Sequence, residues 1–258
     1  MLLFVAVVLL GTLGTVVFGQ NPIPHRPPTG FVYPASDTCK ALVEFKAFVD
    51  LACPHSKTAW PTFEQVAAYY NNATAALVAF ETLIFPLPYH RAAFPAAQAT
   101  YILTDMKSGV AYDWFHYIFN HQSKYYDGAI LNFNQSEVHQ MLAEDIYMAT
   151  GVSKSDILTH FKDTDPSWEE EIVMWKYGCT RTVDGTPSAF INGVRVEFSP
   201  TWTLDDWRQV IDPLIYNEDA FYMPKTCPAG EAECKYLPGK MECCLNGEFC
   251  IPNVGCRC

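Results

Sequence analysis

The sequence predicts an α/β domain with an inserted helical layer, followed by a separate, disulfide-rich carboxyl-terminal module. Three observations predict it. Strand-like and helix-like stretches alternate through residues 39–216. A late strand pair is joined by Asn192-Gly193, a dipeptide strongly favoured in two-residue hairpin turns. The ten cysteines are unevenly placed, with Cys39, Cys53 and Cys179 in the body and seven within the last thirty-two residues.

The elements follow in order. Leu2 to Phe18 is apolar apart from Gly and Thr, carries no charge, and at seventeen residues is short for a membrane span. It reads as a secretory signal peptide over residues 1–19, with an uncleaved anchor as the alternative. Residues 20–38 hold Pro22, Pro24, Pro27, Pro28 and Pro34 and read as an extended arm. Val43, Phe45, Ala47, Val49 and Leu51 alternate with Glu44, Lys46, Phe48 and Asp50, the period of a strand. A helix is expected from Cys53 to about Tyr70, kinked or broken near Trp60-Pro61. Ala75 to Phe85 is a buried strand that stops at Pro86-Leu87-Pro88. From about 90 to 178 the pattern is helical, with a break at Ser108-Gly109 and further helices over 136–149, 153–161 and 167–177. Ser188-Ala189-Phe190-Ile191 and Val194-Arg195-Val196-Glu197 form the hairpin. A closing helix over 204–215 turns Trp207, Val210, Ile211 and Leu214 inward.

Composition narrows the function. A net charge of −11 without clustered Lys and Arg argues against a nucleic-acid partner, which needs phosphate neutralisation. No stretch after residue 19 is long and apolar enough to span a bilayer. His116 and His121 are five apart and fall on different helix faces, so no metal site is expected, and no nucleophile-elbow pattern surrounds a serine. The six tryptophans read as packing residues. Asn72-Ala73-Thr74 and Asn134-Gln135-Ser136 are glycosylation sequons if the chain is secreted.

The tail cysteines are Cys227, Cys234, Cys243, Cys244, Cys250, Cys256 and Cys258. A segment over 217–258 cannot bury enough apolar surface to fold unaided, so in a secreted chain such density implies structural disulfides. The spacing resembles small knottin-like modules, and its connectivity stays open. Seven is odd, so one tail sulfur must be free or pair outside the module. Zinc is disfavoured by the absence of a Cys-x-x-Cys pair.

Chemistry concentrates at Cys53-Pro54-His55-Ser56, at the junction of a strand and a helix. A helix amino terminus supplies unpaired amides and partial positive charge, which favour a thiolate. Pro54 suits the first helical position, where its missing N–H costs nothing, and His55 adds a donor or a charge. Cys53 is therefore expected to be exposed and nucleophilic, with the Ser56 hydroxyl able to hydrogen-bond it.

This motif after a hydrophobic strand, together with Gly185-Thr186-Pro187 before the Asn192-Gly193 hairpin, resembles the DsbA-like branch of the thioredoxin superfamily over about residues 40–216. Leu87-Pro88-Tyr89-His90 before an Ala-rich helix resembles eukaryotic secretory members with a Cys-Pro-x-Ser variant. The resemblance implies a thioredoxin-like fold with an inserted helical domain, and a cis Pro187 facing Cys53. Thr186 would then present its backbone to a substrate strand. His90 could line the same rim or be a plain helix-start residue.

The family's exchange motif ends in cysteine, whereas here Ser56 cannot resolve a mixed disulfide. Isomerisation, glutathione-linked reduction or transfer, and peroxide reduction remain open. Cys179 could act as a distant resolving thiol, or pair structurally with Cys39 or the odd tail cysteine. The leading expectation is a secreted, monothiol thiol–disulfide exchange protein acting on protein thiols and disulfides or on glutathione, without a bound cofactor. The alternative is a secreted binding or structural protein that keeps the fold, with the cysteine-rich tail as its interaction module.

Overall fold

The computed structural model describes residues 30–38, 41–72, 75–216, 227, 231–237, 240–244, 249–251 and 255–257. The expected signal peptide, most of the Pro-rich arm, Cys39 and Cys258 lie outside the described residues. Strand β1 (Phe31–Val32) is followed by β2 (Val43–Val49), α1 (Pro54–Tyr70), the short pair β3 (Asn71–Asn72) and β4 (Ala75–Ala76), and β5 (Val78–Ile84). The helical insertion comprises α2 (Ala93–Met106), α3 (Ala111–His121), a 3-10 turn at Gln122–Tyr125, α4 (Gln135–Thr150), α5 (Lys154–His160) and α6 (Pro166–Thr180). Strands β6 (Ser188–Ile191) and β7 (Val194–Val196) and helix α7 (Leu204–Tyr216) complete the body.

The sheet runs β1-β5-β2-β6-β7. Strands β2 and β5 are parallel neighbours, which requires a crossover, and α1 supplies it. Every residue of β5 is buried, as expected of a central strand covered on both faces. The alternation of β2 holds only in its first half; Phe48 is buried because its ring meets Phe85, Tyr177 and Phe190. The main core gathers Phe45, Phe63, Phe80 and Trp207 between sheet and helices.

Two expectations are corrected. The end of the Pro-rich stretch is not a free arm: Phe31 and Val32 pair antiparallel with Thr82 and Glu81 of β5. The proline-free run Phe31-Val32-Tyr33 suffices for an edge strand, and its rings pack on Phe115 and Tyr112. Of the kink or break expected near Trp60-Pro61, the break does not occur: helix α1 continues through Pro61, because Trp60, Phe63, Val66, Ala67 and Tyr70 still bury one stripe. The Asn192-Gly193 turn is as expected: both residues have positive φ, 49° and 77°, and Asn192 Oδ1 accepts from the Glu44 N–H at 2.9 Å.

Helix α4 begins with a capping box, in which Asn134 Oδ1 accepts from Glu137 N–H and the Glu137 carboxylate accepts from Asn134 N–H. Asn134→Ala is expected to lower stability by about 1 kcal/mol in thermal or urea denaturation, and Asn134→Asp to preserve it.

In the tail, β8 (Ala232–Leu237) pairs with β9 (Lys240–Cys244), and β10 (Phe249–Ile251) with β11 (Gly255–Arg257). Disulfides join Cys227 to Cys243, Cys234 to Cys250 and Cys244 to Cys256. Cys234, Cys244 and Cys256 are buried together, so sulfur supplies the interior that apolar side chains supply elsewhere. Their sulfurs lie within 4.8 Å of one another, as metal ligands would, but each is committed to a disulfide.

Candidate active site

Cys53 is the N-cap of α1 and Pro54 occupies the first helical turn. Backbone φ of −80° and ψ of 122° keep Cys53 extended while its carbonyl already accepts the helical N–H of Lys57. Its Sγ donates to the Thr186 carbonyl at 3.4 Å, and the Thr186–Pro187 peptide bond is cis. The motif and the Thr186-Pro187 loop, 133 residues apart in sequence, thus meet at the sulfur.

Two expectations about the motif are corrected. Cys53 is 3% exposed rather than open to solvent, packed in a cluster with Phe48, Leu87, Met174 and Phe190. Ser56 is fully buried, and its Oγ accepts from the Asp50 N–H at 3.2 Å; it forms no hydrogen bond with Cys53 among the described residues. The side chain points back toward the end of β2 and holds the turn together. The His55 side chain is exposed and makes no hydrogen bond among the described residues, which leaves its expected donor or charge untested.

Asp50 is a site residue that local sequence pattern did not single out. Its buried carboxylate accepts from Ala52 N–H at 2.7 Å and Leu87 N–H at 3.1 Å, and pairs with His90 Nδ1 at 2.6 Å. The bond to Asp50 raises the His90 pKa against the opposing effect of burial. His90 is therefore joined through Asp50 to the turn that carries Cys53. A carboxylate directly before the apolar Leu51-Ala52 pair that leads into Cys53 was the available signal.

Gln122 was likewise unmarked. Fully buried, it donates from Nε2 to the carbonyls of Leu51 at 2.8 Å and Cys53 at 3.0 Å, while Tyr126 donates its hydroxyl to Gln122 Oε1. Burial first, and then the nearby Cys53 charge, raise the phenols of Tyr89 and Tyr126. Glu171, on α6, is wholly buried with neither carboxyl oxygen hydrogen-bonded among the described residues. Burial, with Asp50 as a second cause, holds its pKa well above the usual carboxylate range.

Cys179 is an exposed free thiol at the end of α6, so the structural disulfide considered for it is not formed. Burial of its sulfur pushes its pKa up. Of the sequons, Asn134 is the exposed cap of α4, Asn72 lies in β3, and Ala73 and Thr74 are outside the described residues.

No family model and no curated protein sequence matches the chain. Solved structures do. BdbD from Bacillus subtilis aligns with a TM-score of 0.56 at 15% identity, over 72% of this chain and 96% of that one. DsbA from Chlamydia trachomatis gives 0.54 at 17%, over 76% and 96%. The thiol-disulfide exchange protein alpha-DsbA2 from Wolbachia pipientis gives 0.52 at 19%, over 70% and 87%. The chain has a DsbA-like thioredoxin fold. On this DsbA-like frame the helix-start sulfur is present as Cys53, and Ser56 stands three residues on.

Proposed function

We propose that the protein is a monothiol thiol–disulfide exchange protein of the secretory pathway, in which Cys53 captures a protein partner as a mixed disulfide. One observation carries this reading: the Cys53 sulfur lies at a helix start against the Thr186 carbonyl, beside backbone able to guide an extended partner. The attacking Cys53 thiolate forms a new S–S bond to one sulfur of a partner disulfide. The old S–S bond breaks, and the departing thiolate takes up a proton. With Ser56 in place, a second thiol of the partner, glutathione or another external thiol must displace Cys53 and restore it. Pro54 and His55 frame the helix start, Thr186 and Pro187 face the sulfur, and His90 with Asp50 positions the rim.

The three tail disulfides and the apolar segment Leu2 to Phe18 support an oxidising, secretory location for the chain. In the same reading, residues 39–216 form the exchange domain, residues 217–258 a disulfide module, and Asn72 and Asn134 carry glycans. The cap at Asn134 uses Oδ1 and leaves Nδ2 for a glycan.

The burial of Cys53 favours a second reading, a binding protein that keeps the fold without exchange. Incubation with scrambled ribonuclease, acid trapping and mass analysis separates the two. Exchange predicts a covalent adduct that Cys53→Ala abolishes and Cys179→Ala retains. No adduct on native protein, with alkylation of Cys53 only after denaturation, would leave the binding reading.

A further inference from the structure

Two of the tail disulfides are placed so that they can trade partners. Cys234 in β8 is bonded to Cys250 in β10, and Cys244 in β9 to Cys256 in β11, so these bonds tie one hairpin to the other. The same four residues are also neighbours within each hairpin. Cys250 and Cys256 stand directly opposite in the β10–β11 register. Cys234, whose partner across β9 is Glu242, lies diagonal to Cys244 on the same face. The sulfurs of Cys234, Cys244 and Cys256 lie within 4.8 Å of one another. Directly opposed residues of an antiparallel pair have Cα atoms about 4.5–5.5 Å apart, a span that a disulfide bridges.

Exposure decides where exchange begins. Cys234, Cys244 and Cys256 are buried and Cys227 and Cys243 half-buried, whereas Cys250 is exposed. An outside thiolate therefore has its best access at residue 250. Cys243 precedes Cys244 in β9, and successive strand side chains face opposite ways, so its bond to Cys227 stands apart from the buried cluster.

We propose that the tail is a thiol-triggered isomerisation site with two disulfide pairings, and that Cys250 is its point of entry for a small thiol of the glutathione class. The thiolate bonds to the Cys250 sulfur, and the Cys234–Cys250 bond breaks to leave a Cys234 thiolate. That thiolate, beside the Cys244–Cys256 bond, bonds to Cys244 and expels the Cys256 thiolate. Cys256 faces Cys250 across the hairpin; its thiolate bonds to the Cys250 sulfur and expels the small thiol, which regains its proton. The number of disulfides is unchanged, nothing is oxidised or reduced overall, and the small thiol acts as a catalyst. In the second pairing Cys234–Cys244 staples β8 to β9 and Cys250–Cys256 staples β10 to β11, while Cys227–Cys243 is untouched. The two hairpins lose the bonds that joined them, so contact with a thiol gives the module a second covalent form.

The test uses the full chain carrying Cys53→Ala and Cys179→Ala, which removes the two free thiols among the described residues and keeps the outcome separate from the exchange reading. The protein is incubated with reduced glutathione without oxygen, quenched in acid and cleaved after Glu233, Glu242 and Glu248. In the starting pairing the peptide 249–258 is linked to the peptides that bear Cys234 and Cys244. In the second it parts from both, and those two are linked to each other. Glutathione should speed this conversion at least about tenfold over buffer, and the rate should rise about tenfold per pH unit below the usual thiol range, because only the thiolate attacks. Cys250→Ala, which leaves Cys234 as a thiol beside the Cys244–Cys256 bond, should join Cys234 to Cys244 without added thiol and leave Cys256 open to alkylation. Retention of the starting linkage in glutathione, or loss of all three bonds together, would overturn the proposal, as would a Cys250→Ala chain alkylated in the tail at Cys234 and not at Cys256.

Discussion

Ser56→Cys is expected to turn a protein that captures its partner into one that oxidises it repeatedly, raising oxidation of a dithiol peptide by about an order of magnitude or more. The position is prepared for it. Residue 56 lies one helical turn from Cys53 at the start of α1, so a thiol there can close an intramolecular disulfide with Cys53 as glutathione disulfide is reduced to two glutathione thiols; one peptide thiolate then attacks Cys53, releasing the thiolate at position 56, and the second peptide thiol displaces Cys53 and closes the peptide's own disulfide. The substitution carries a structural cost, because Ser56 Oγ accepts from Asp50 N–H and sulfur is a weaker acceptor. Loss of that buried bond would lower stability by about 1 kcal/mol. The measurement is peptide oxidation with glutathione disulfide as terminal oxidant, wild type against variant. An unchanged rate in a folded variant would show that the helix start is not arranged for exchange.

Asp50→Ala is expected to destabilise the protein by about 3–5 kcal/mol, since it leaves two backbone N–H groups and the His90 imidazole without their shared acceptor. The same region sets a pH dependence with a definite sign. His90 has a raised pKa in the fold, so its stabilising contribution is complete below its ordinary range and is lost as pH rises through the raised value. Glu171 has a raised pKa as well, so the folded chain retains a proton that the unfolded chain releases, and stability falls as pH climbs above the ordinary carboxylate range. The effects add. The melting temperature should decline from mildly acidic to mildly alkaline buffer. Glu171→Gln should flatten the decline, and Glu171→Met should raise stability at neutral pH by roughly 1–3 kcal/mol, since it replaces two unbonded buried oxygens. A slope unaltered in Glu171→Gln would mean that the carboxyl is charged and partnered.

What could be read from the chain alone was whatever depends on near neighbours. The strand before Cys53, the Ser108-Gly109 break, the Asn192-Gly193 turn and the cystine-dense tail all announce themselves within a few residues. Misread features are those assembled from distant segments. Asp50 and His90 are 40 residues apart and Gln122 and Cys53 are 69 apart, and no local period marks such meetings. Burial of Cys53 likewise depends on Met174 and Phe190, from the insertion and the hairpin, closing over it. Phe31–Val32 was hidden because the surrounding prolines outweigh so short an apolar run.

Gln122 ties the insertion to the chemistry in a way that is mechanical rather than catalytic. Its amide grips the carbonyls of Leu51 and Cys53 from a layer to which neither residue belongs. The turn bearing the sulfur is thus held from two sides, and Cys53 itself is 3% exposed. The backbone that carries the nucleophile is fastened to the insertion as well as to the sheet, and its position depends on both.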